Sequence, residues 1–283
     1  MEIKHTDFLI IGSGIAGLTA AIKLSEYGKV TVLTKAAIAD GSTSLAQGGI
    51  ASAISPGDNP QSHLQDTLIA GAGICDQAAV EVLVNEGILR VKELMEWGVM
   101  FDREPSGELA LGREGAHSCN RIVHAGDATG QAVEDTLIKK ISKKKSVTIC
   151  SQTAVVSLIS DSDTCYGAIT ANGTAYFSSS IIIATGGIGQ LYKNTSNPQV
   201  VQGDGIVLAY QAGAELIDLE FIQFHPTGFL LPINDTPNLA LISEAARGEG
   251  AVLRNVFRQK FVDELAPRDI VTRAIFQEMQ KTN

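Results

Sequence analysis

Two short apolar runs near the start of the chain have the length of buried β-strands. Thr6–Ile11 and Lys29–Thr34 flank a segment with helical periodicity, Leu18–Leu24, which stops at Gly28. A parallel strand that is covered on both faces is apolar along most of its length, and two such strands need a crossover connection. The pattern therefore predicts a strand, helix and second parallel strand, a βαβ unit.

Helical periodicity returns in the middle of the chain. Residues 61–100 predict helices, including Gln77–Glu86 with Asp76 as its N-cap and a second helix at Ile88–Trp97. Another helix follows Gly130 and runs to about Ile141. These segments indicate packing rather than chemistry.

From Val147 the apolar period changes to two, as in half-buried strands. The predicted strands are Val147–Cys150, Ala154–Ile159, Cys165–Ala171 and Thr174–Phe177, with a hairpin turn at Asn172-Gly173. They predict an antiparallel meander. A separate buried strand is expected at Ile181–Ala184, followed by a helix at Ile206–Ala212 with Asp204 as its N-cap and a helix with Pro267 at its first position.

Composition narrows the class of protein. The chain has 283 residues, 45% of them apolar and 19% charged, which predicts about two globular domains and excludes a disordered chain. No apolar run approaches the ~20 residues of a membrane span. The net charge of −9 makes nucleic acid a poor partner. The four cysteines form no C-x-x-C pair, and no signal peptide is evident at the N-terminus, so we expect a cytoplasmic protein.

A glycine-rich turn lies between the first strand and the first helix. In Gly12-Ser13-Gly14-Ile15-Ala16-Gly17 the first glycine permits the sharp turn, the second lets the backbone approach a pyrophosphate, and the third lets the helix pack on the strand. The alternative is a tight turn without a ligand, but the flanking strand and helix favour a dinucleotide. The acidic residue of NAD-binding sites is missing, because Thr34-Lys35 ends the second strand.

The next segment, Gly41–Ile50, is rich in glycine, serine and threonine. Such a composition is typical of backbone that lies against a ligand, or alternatively of a flexible loop. Together with the glycine turn and Thr34-Lys35, this segment resembles the FAD-binding signatures of succinate dehydrogenase and fumarate reductase flavoproteins and of the related L-aspartate oxidases.

The resemblance implies a set of cofactor-binding residues. They are Gly12, Ser13, Gly14, Ile15, Ala16, Gly17, Lys35, Ser42, Thr43, Ser44, Leu45, Ala46, Gln47, Gly48, Gly49 and Asp204. It also implies non-covalent FAD, since Ser42 stands in the region where dehydrogenase relatives carry the attachment histidine. Asp204 matches an aspartate that lies at the flavin in the family.

A second cluster of polar residues spans Arg113–Ala125. A metal site at His117, Cys119 and His124 is one interpretation and a polar surface loop is another, although the ligand spacing fits no common metal pattern. Arg113–Ser118 and the residues up to Gly130 resemble an active-site block of L-aspartate oxidases, with Ala116 in place of a family glycine. The resemblance implies that Glu114 holds the α-ammonium of an amino-acid substrate.

Two further residues gain a role from the resemblance. His225 lies in Glu220–Thr227, which is similar to a family motif whose histidine contacts a substrate carboxylate; a core histidine is the alternative. Arg268 matches an arginine that faces the substrate and acts as the acid/base. Without a ligand, Arg268 at a helix start would need an anionic partner such as Asp269 or Glu264.

The fold implied is α/β: a Rossmann-like FAD-binding domain, residues 1–220, with inserted antiparallel strands, followed by the start of an α+β capping domain, residues 221–283. The implied reaction is oxidation of L-aspartate to iminoaspartate with oxygen or fumarate as acceptor, the first step of NAD synthesis, with a functional link to quinolinate synthase. The chain resembles the N-terminal portion of such an enzyme, and we expect this fragment to be inactive. The alternatives are a succinate dehydrogenase or fumarate reductase flavoprotein, or a nucleotide-binding fragment without catalysis.

Overall fold

The computed structural model describes residues 2–229 and 239–282. These residues divide into two compact units. Unit 1 contains residues 2–45 and 131–221, and unit 2 contains residues 46–130, 222–229 and 239–282. The predicted domain division at residue 220 stays a prediction.

Seven α-helices lie in the described part of the chain: α1 Ile15–Leu24, α2 Pro60–Ala70, α3 Gln77–Trp97, α4 Thr129–Ile141, α5 Asp204–Gln211, α6 Glu244–Gly248 and α7 Arg268–Thr282. The strands are β1 Ile3–Ile11, β2 Val30–Leu33, β3 Ile50–Ala51, β4 Leu111–Gly112, β5 Ile122–Val123, β6 Val147–Cys150, β7 Val155–Ser160, β8 Cys165–Thr170, β9 Ala175–Ile183, β10 Gly228–Phe229 and β11 Ala240–Leu241.

Unit 1 is built on a six-stranded mixed sheet with the order β6-β2-β1-β9-β8-β7. The first four strands are parallel, and β8 and β7 extend the sheet as an antiparallel pair. All four residues of β2 are buried, as expected for a central parallel strand. The α/β class with inserted antiparallel strands is thereby confirmed.

The apolar core of unit 1 lies along the central strands. Leu9, Ile11 and Leu33 pack with Ala168 and Tyr176. In α1 the buried residues are Gly17, Leu18, Ala21 and Ile22, so one face of the helix packs inward. The carboxyl ends of β1, β2 and β9 lie side by side, because Ile11 pairs with both Leu33 and Ile183. In a parallel sheet, ligands bind at this edge.

Unit 2 combines helices with two small antiparallel sheets, β3-β5-β4 and β10-β11. Asn59 caps α2, accepting a hydrogen bond from Ser62 N–H at 2.9 Å, and Asp76 caps α3, as predicted, accepting from Ala78 N–H at 2.8 Å. Leu64 of α2 packs against Val80 and Val84 of α3.

Several boundaries differ from the predictions. The two helices expected between Gln77 and Trp97 are one helix, and Gly87, the residue between the two predicted segments, lies in its interior. Glycine lowers helix stability without breaking the hydrogen-bond ladder. Gly203, rather than Asp204, is the N-cap of α5; Asp204 occupies the first turn.

Two strand predictions were also wrong. The strand at Val147–Cys150 is not part of an antiparallel meander, since β6 pairs in parallel with β2. The strands expected at Thr174–Phe177 and Ile181–Ala184 form one continuous strand, β9, whose hydroxyl-rich middle pairs with β1. Side-chain periodicity does not report which neighbour a strand pairs with.

In the described ranges, no helix combines the length and apolar character that spanning a membrane requires.

Candidate functional site

A cavity of about 840 Å³ opens at the carboxyl ends of the parallel strands in unit 1. Its walls include most of the predicted cofactor residues: Gly12, Ser13, Gly14, Ile15, Ala16, Lys35, Ser42, Thr43 and Asp204. The volume lies within the range of cofactor and ligand sites. The sheet edge, the glycine turn and the serine-rich segment therefore meet at one place.

The glycine turn has the backbone that its sequence predicts. Gly12 has a φ of +113°, and a Cβ there would collide with the carbonyl oxygen of Ala184. A Cβ on Gly17 would collide with the carbonyl oxygen of Gly12, so helix and turn pack in direct backbone contact. At the start of α1, Gly14 provides no side chain to cap the helix. The N–H groups of the first turn and the positive end of the helix dipole are suited to bind phosphate.

Lys35 and Asp204 are 169 positions apart in the sequence and form an ion pair in this cavity. Lys35 Nζ also donates to Gln202 Oε1 at 3.2 Å. Ser13 Oγ donates to the carbonyl oxygen of Ile38 at 2.8 Å and lies 3.0 Å from Thr34 Oγ1. The polar side chains that follow β1 and β2 are thus ordered around the cavity.

The serine-rich segment is a hydrogen-bonded turn. Ser44 Oγ donates to the carbonyl oxygens of Ala39 and Gly41 at 3.1 and 3.0 Å, and Thr43 Oγ1 accepts a hydrogen bond from Ile15 N–H at 3.0 Å. Ser42 is exposed and lies 3.5 Å from Asn197 Oδ1. These contacts favour a structured wall of the cavity over a flexible loop.

Of the other predicted cofactor residues, Leu45 is exposed at the end of this segment of unit 1, and Ala46–Gly49 belong to unit 2. Gln47, Gly48 and Gly49 line a cavity of about 360 Å³ together with Glu114 and Ser243. Gln47 Oε1 and Ser243 Oγ are buried and have no hydrogen-bond partner in the described ranges. Buried polar atoms are nearly always paired, so these two atoms indicate a ligand or ordered solvent in this cavity.

Glu114 is half-buried and accepts one hydrogen bond from Gly49 N–H, at 3.4 Å. Burial raises the pKa of Glu114 above its ordinary value, and the neighbouring carboxylate of Glu244 raises it further. Gly49 N–H and the charges of Arg268 and Arg247 act in the opposite direction. The Glu114 carboxylate consequently retains capacity to pair with a cationic group.

Glu114 and Arg268 line a second cavity in unit 2, of about 410 Å³. His117, Gln223 and Glu244 are also among its lining residues. Two of the three predicted catalytic residues therefore share one cavity, although they are separated by more than half of the chain.

Arg268 is fixed by a buried carboxylate. Its Nε donates to Glu244 Oε2 at 2.7 Å, and Nη2 lies 2.6 Å from the same oxygen, while Nη1 donates to Gln223 Oε1 at 2.8 Å. Glu244 also accepts from Gly115 N–H at 3.2 Å and lies 3.1 Å from Arg247 Nη2. The partner of Arg268 is thus Glu244, whereas Asp269 pairs with Arg273 and Glu264 pairs with Lys260.

His225 is half-buried, and its Nδ1 accepts a hydrogen bond from Thr227 N–H at 3.3 Å. A backbone N–H only donates, so the proton of the neutral ring is on Nε2. Burial lowers the pKa of His225, and the positive charge of Arg268 lowers it further. The structure therefore presents His225 as a neutral side chain in the electrostatic field of Arg268.

Arg121, within the polar segment 113–125, forms a buried charge cluster with two aspartates. Arg121 is fully buried; Nε and Nη2 donate to Asp58 at 2.9 and 3.1 Å, and Nη1 donates to Asp66 at 2.8 Å. The surface-loop interpretation is wrong for this residue.

The metal site considered at His117, Cys119 and His124 does not form either, because no metal-binding group of three His, Cys, Asp or Glu residues exists in the described chain.

Glu244 and Arg247 are two buried charged residues next to Arg268 to which the sequence interpretation gave no role. Both are buried, and they form an (i, i+3) pair in α6. The available signal was an acid and a base three positions apart, separated by two alanines and followed by glycine. A spacing of three residues places both side chains on the same face of a helix. The small alanine side chains between them let the helix pack closely against neighbouring elements.

Comparisons of sequence with known proteins agree on one protein family. The chain matches the family described as FAD binding domain over residues 7–283. It is 46% identical to L-aspartate oxidase of Synechocystis sp. and 44% identical to L-aspartate oxidase of Streptomyces coelicolor. These alignments cover 100% and 97% of the chain but 52% and 50% of the relatives. The chain therefore spans about half the length of these curated relatives.

A solved structure supports the same grouping. A quinol fumarate reductase from E. coli superposes with a TM-score of 0.93 at 28% identity, covering 100% of this chain and 52% of that chain. The similarity extends over both units of the chain, each of which contains predicted site residues.

Proposed function

Because the chain belongs to the family of FAD-binding domains, we propose that it forms part of a flavoenzyme that oxidises L-aspartate to iminoaspartate. The observation that carries the proposal is the cavity of unit 2 that Glu114 and Arg268 share. An amino dicarboxylate needs an anion for its α-ammonium and cationic or neutral donors for its carboxylates. This cavity offers both.

The residues of unit 1 fit FAD. The uncapped N-terminus of α1 and the close backbone packing at Gly12 and Gly17 suit a pyrophosphate, and Lys35 and Asp204 add polar groups to the same cavity. In unit 2, the unpaired buried oxygens of Gln47 and Ser243 are suited to polar atoms of a flavin ring. When bound, FAD would supply the redox chemistry, which is hydride acceptance from the substrate Cα and transfer of two electrons to oxygen or fumarate.

Glu114 would hold the substrate ammonium. Its carboxylate accepts one long hydrogen bond from the described residues and is half-buried, so an ion pair there gains strength from the lowered local dielectric. Succinate has no ammonium group, and Glu114 would therefore favour aspartate over succinate.

Arg268 would bind a substrate carboxylate, with Glu244 and Gln223 fixing its guanidinium. A guanidinium has a pKa above ~12, so proton transfer through Arg268 requires a relay partner. Glu244 contacts Arg268 directly and is buried, which supports its assignment to that role. His225, with its proton on Nε2, would donate to a substrate carboxylate.

A fumarate reductase or succinate dehydrogenase flavoprotein is the second candidate, favoured by the close superposition on a quinol fumarate reductase. The two candidates are separated by substrate. The full-length enzyme containing this chain should convert L-aspartate to iminoaspartate, detected by its hydrolysis to oxaloacetate and ammonia, while oxidising succinate far more slowly. Succinate oxidation without aspartate oxidation would support the second candidate. Bound flavin with neither activity would support a nucleotide-binding protein without catalysis.

The proposed product determines the proposed place in metabolism. Iminoaspartate hydrolyses readily, so an enzyme that consumes it must act close by, and quinolinate synthase on the route to NAD is the partner that we propose. We also propose a cytoplasmic location. Co-purification with quinolinate synthase and fractionation of cells would test these two assignments.

A further inference from the structure

The half-buried side chain of His117 connects a buried charge cluster with the cavity that contains Glu114 and Arg268. Its Nδ1 lies 3.4 Å from Arg121 Nη1. Its Nε2 has no hydrogen-bond partner among the residues that the structure describes. The described protein groups therefore leave this nitrogen available to a ligand in the cavity.

The contact with Arg121 determines which ring nitrogen carries the proton. A guanidinium has N–H donors and no acceptor, so Nδ1 must accept and the proton of the neutral ring must be on Nε2. Arg121 is itself held in place by Asp58 and Asp66 and cannot turn away without leaving buried carboxylates unpaired. The tautomer of His117 is consequently fixed by a buried, charged neighbour.

The surroundings also keep the ring neutral. Burial lowers the pKa of His117, and the charge of Arg121 lowers it further, while Asp66, Glu244 and Asp58 act in the opposite direction. His63 packs against the ring with centroids 5.7 Å apart. Burial lowers the pKa of His63 to about 4, so that this neighbour is neutral as well at neutral pH.

From this geometry we infer that His117 is a substrate-binding residue, whose Nε2–H donates a hydrogen bond to a carboxylate of the dicarboxylate substrate, and that Arg121 is the residue that positions it. The inference rests on the proposed function and refines it. The cavity then contains a neutral donor in addition to Arg268, whose guanidinium is already engaged by Glu244 and Gln223. A neutral donor binds a carboxylate without attracting Glu114 away from the substrate ammonium.

Two substitutions separate donation to the substrate from packing. In His117→Gln the amide group reaches the position of Nε2 and can still donate into the cavity. In His117→Asn the shorter amide remains near Arg121 and cannot. The full-length enzyme with His117→Asn should show a KM for L-aspartate raised about tenfold or more, with kcat changed much less, and His117→Gln should stay within about threefold of wild type.

Binding should change in the same way without turnover. Titration of the oxidised enzyme with succinate as a competitive dicarboxylate, followed by flavin absorbance, should give a similarly raised Kd for His117→Asn only. Cys119→Ala is the matched control, because it removes a different contact of Arg121, Nη2 to Sγ at 3.1 Å, without changing a cavity-lining residue. Cys119→Ala should leave KM and Kd unchanged.

The tautomer can be observed directly. In ¹⁵N-histidine spectra of the enzyme at neutral pH, the resonances assigned to His117 by their loss in His117→Asn should show a protonated Nε2 and an unprotonated Nδ1. Equal losses of succinate affinity in the Asn and Gln variants, no loss in either, or a proton on Nδ1 would each overturn the inference. If the wild-type enzyme bound succinate through His117 but did not oxidise aspartate, the proposed function would fail while the role of His117 remained.

Discussion

Glu244 and Glu114, two carboxylates of unit 2, differ in the number of hydrogen-bond donors that the protein places around them. Glu244 is buried and accepts from Arg268 and from Gly115 N–H, with Arg247 also in ion-pair distance. Among the residues that the structure describes, the Glu114 carboxylate accepts only one hydrogen bond, from Gly49 N–H at 3.4 Å. A carboxylate with several donors is stabilised as an anion by the protein, whereas one with few donors gains most from a ligand cation. The difference supports our proposal that Glu244 holds the arginines and that Glu114 holds the substrate.

Glu114→Gln in the full-length enzyme should lower kcat/KM for L-aspartate about tenfold or more, because it removes a charge-assisted hydrogen bond on the order of 1.5–3 kcal/mol to the substrate ammonium. Fumarate reduction by the same variant should suffer less. Exposed Glu104 offers the control Glu104→Gln, which should leave both activities unchanged. Equal losses with aspartate and fumarate would assign Glu114 to structure.

The same residue predicts a pH dependence. The pKa of Glu114 is raised, so the carboxylate loses its charge at a higher pH than an exposed glutamate does. As the pH falls through this raised pKa, the ion pair with the substrate ammonium is lost and kcat/KM for aspartate should fall. Steady-state profiles of wild type and Glu114→Gln should differ by this acid limb; an identical limb in both would contradict the assignment.

The residues around Ser42 predict that flavin is bound without a covalent link to the protein. Residues 34–49 contain no histidine, and the Ser42 hydroxyl is exposed in the turn that follows β2. Without a histidine in this turn, we expect no covalent link between protein and flavin. Acid precipitation of the purified holoprotein should release all of the yellow colour into the supernatant. Flavin fluorescence that stays with the protein band on a denaturing gel would show that the expectation is wrong.

At the scale of elements, local pattern predicted β1, α1 and β2 well, because a buried strand, a glycine turn and an amphipathic helix each leave a local signature. The pattern failed where pairing partners decide the structure. β6 has the period of a half-buried strand, yet it pairs in parallel with β2, which precedes it by more than a hundred residues. The buried ion pair of Arg121 with Asp58 and the partly buried ion pair of Arg268 with Glu244 likewise join distant segments that no local spacing marks.

Helix α4 contains a buried acid with a measurable consequence. Glu134 is fully buried, and neither of its carboxylate oxygens has a hydrogen-bond partner in the described ranges. Burial raises the pKa of Glu134 to about 7, with minor contributions from nearby Asp135 and Asp40 in the same direction and opposing ones from Ser44. In the unfolded chain the same group titrates near its ordinary value of about 4.3.

The folded state therefore holds a proton on Glu134 that the unfolded state has released between these two pKa values. Stability from this group is fully present below the unfolded pKa and is lost as the pH rises through the folded pKa. From pH 4.5 to 7 the loss is on the order of 3 kcal/mol for the pKa shift to about 7.

Glu134→Gln should remove the contribution of Glu134 to the pH dependence of stability. The free energy of unfolding, measured in urea, should then depend less on pH than in wild type. Asp135→Asn, on the exposed side of the same helix, is the matched control and should keep the wild-type dependence. Unfolding curves of all three proteins at several pH values provide the measurement. A wild-type slope that survives in Glu134→Gln would show that Glu134 is not the responsible group.

At the scale of the whole molecule, the length of the chain predicts about two domains, and the structure contains two compact units, each built from segments that are distant in sequence. Residues 46–130 join unit 2 together with segments that follow residue 221, although they are inserted between two parts of unit 1 in sequence. The predicted cofactor residues are divided accordingly, with Gly12–Gly17 in one unit and Ala46–Gly49 in the other. Each group was predicted from a local motif, whereas the division into units depends on contacts between distant segments.

Unit 2 also exposes large apolar side chains near the end of the chain. Val256 and Phe257 are 73% and 70% exposed in the hairpin that Arg254 and Lys260 close. Phe276 and Met279 of α7 are 61% and 56% exposed. Asn255 Nδ2 donates to Glu278 Oε1 at 2.8 Å and connects the hairpin with this helix. Exposed apolar groups of this size favour association in water.

We therefore expect the 283-residue chain on its own to self-associate at micromolar concentration, more strongly as salt screens the repulsion of its net charge of −9. Light scattering coupled to gel filtration should give a mass above that of one chain. Phe257→Ser should lower the associated fraction, whereas Tyr27→Ser, which removes an aromatic ring that is 80% exposed in unit 1, should not. Equal effects of the two substitutions, or a single-chain mass for the unmodified protein across the salt range, would contradict the assignment of association to this surface of unit 2.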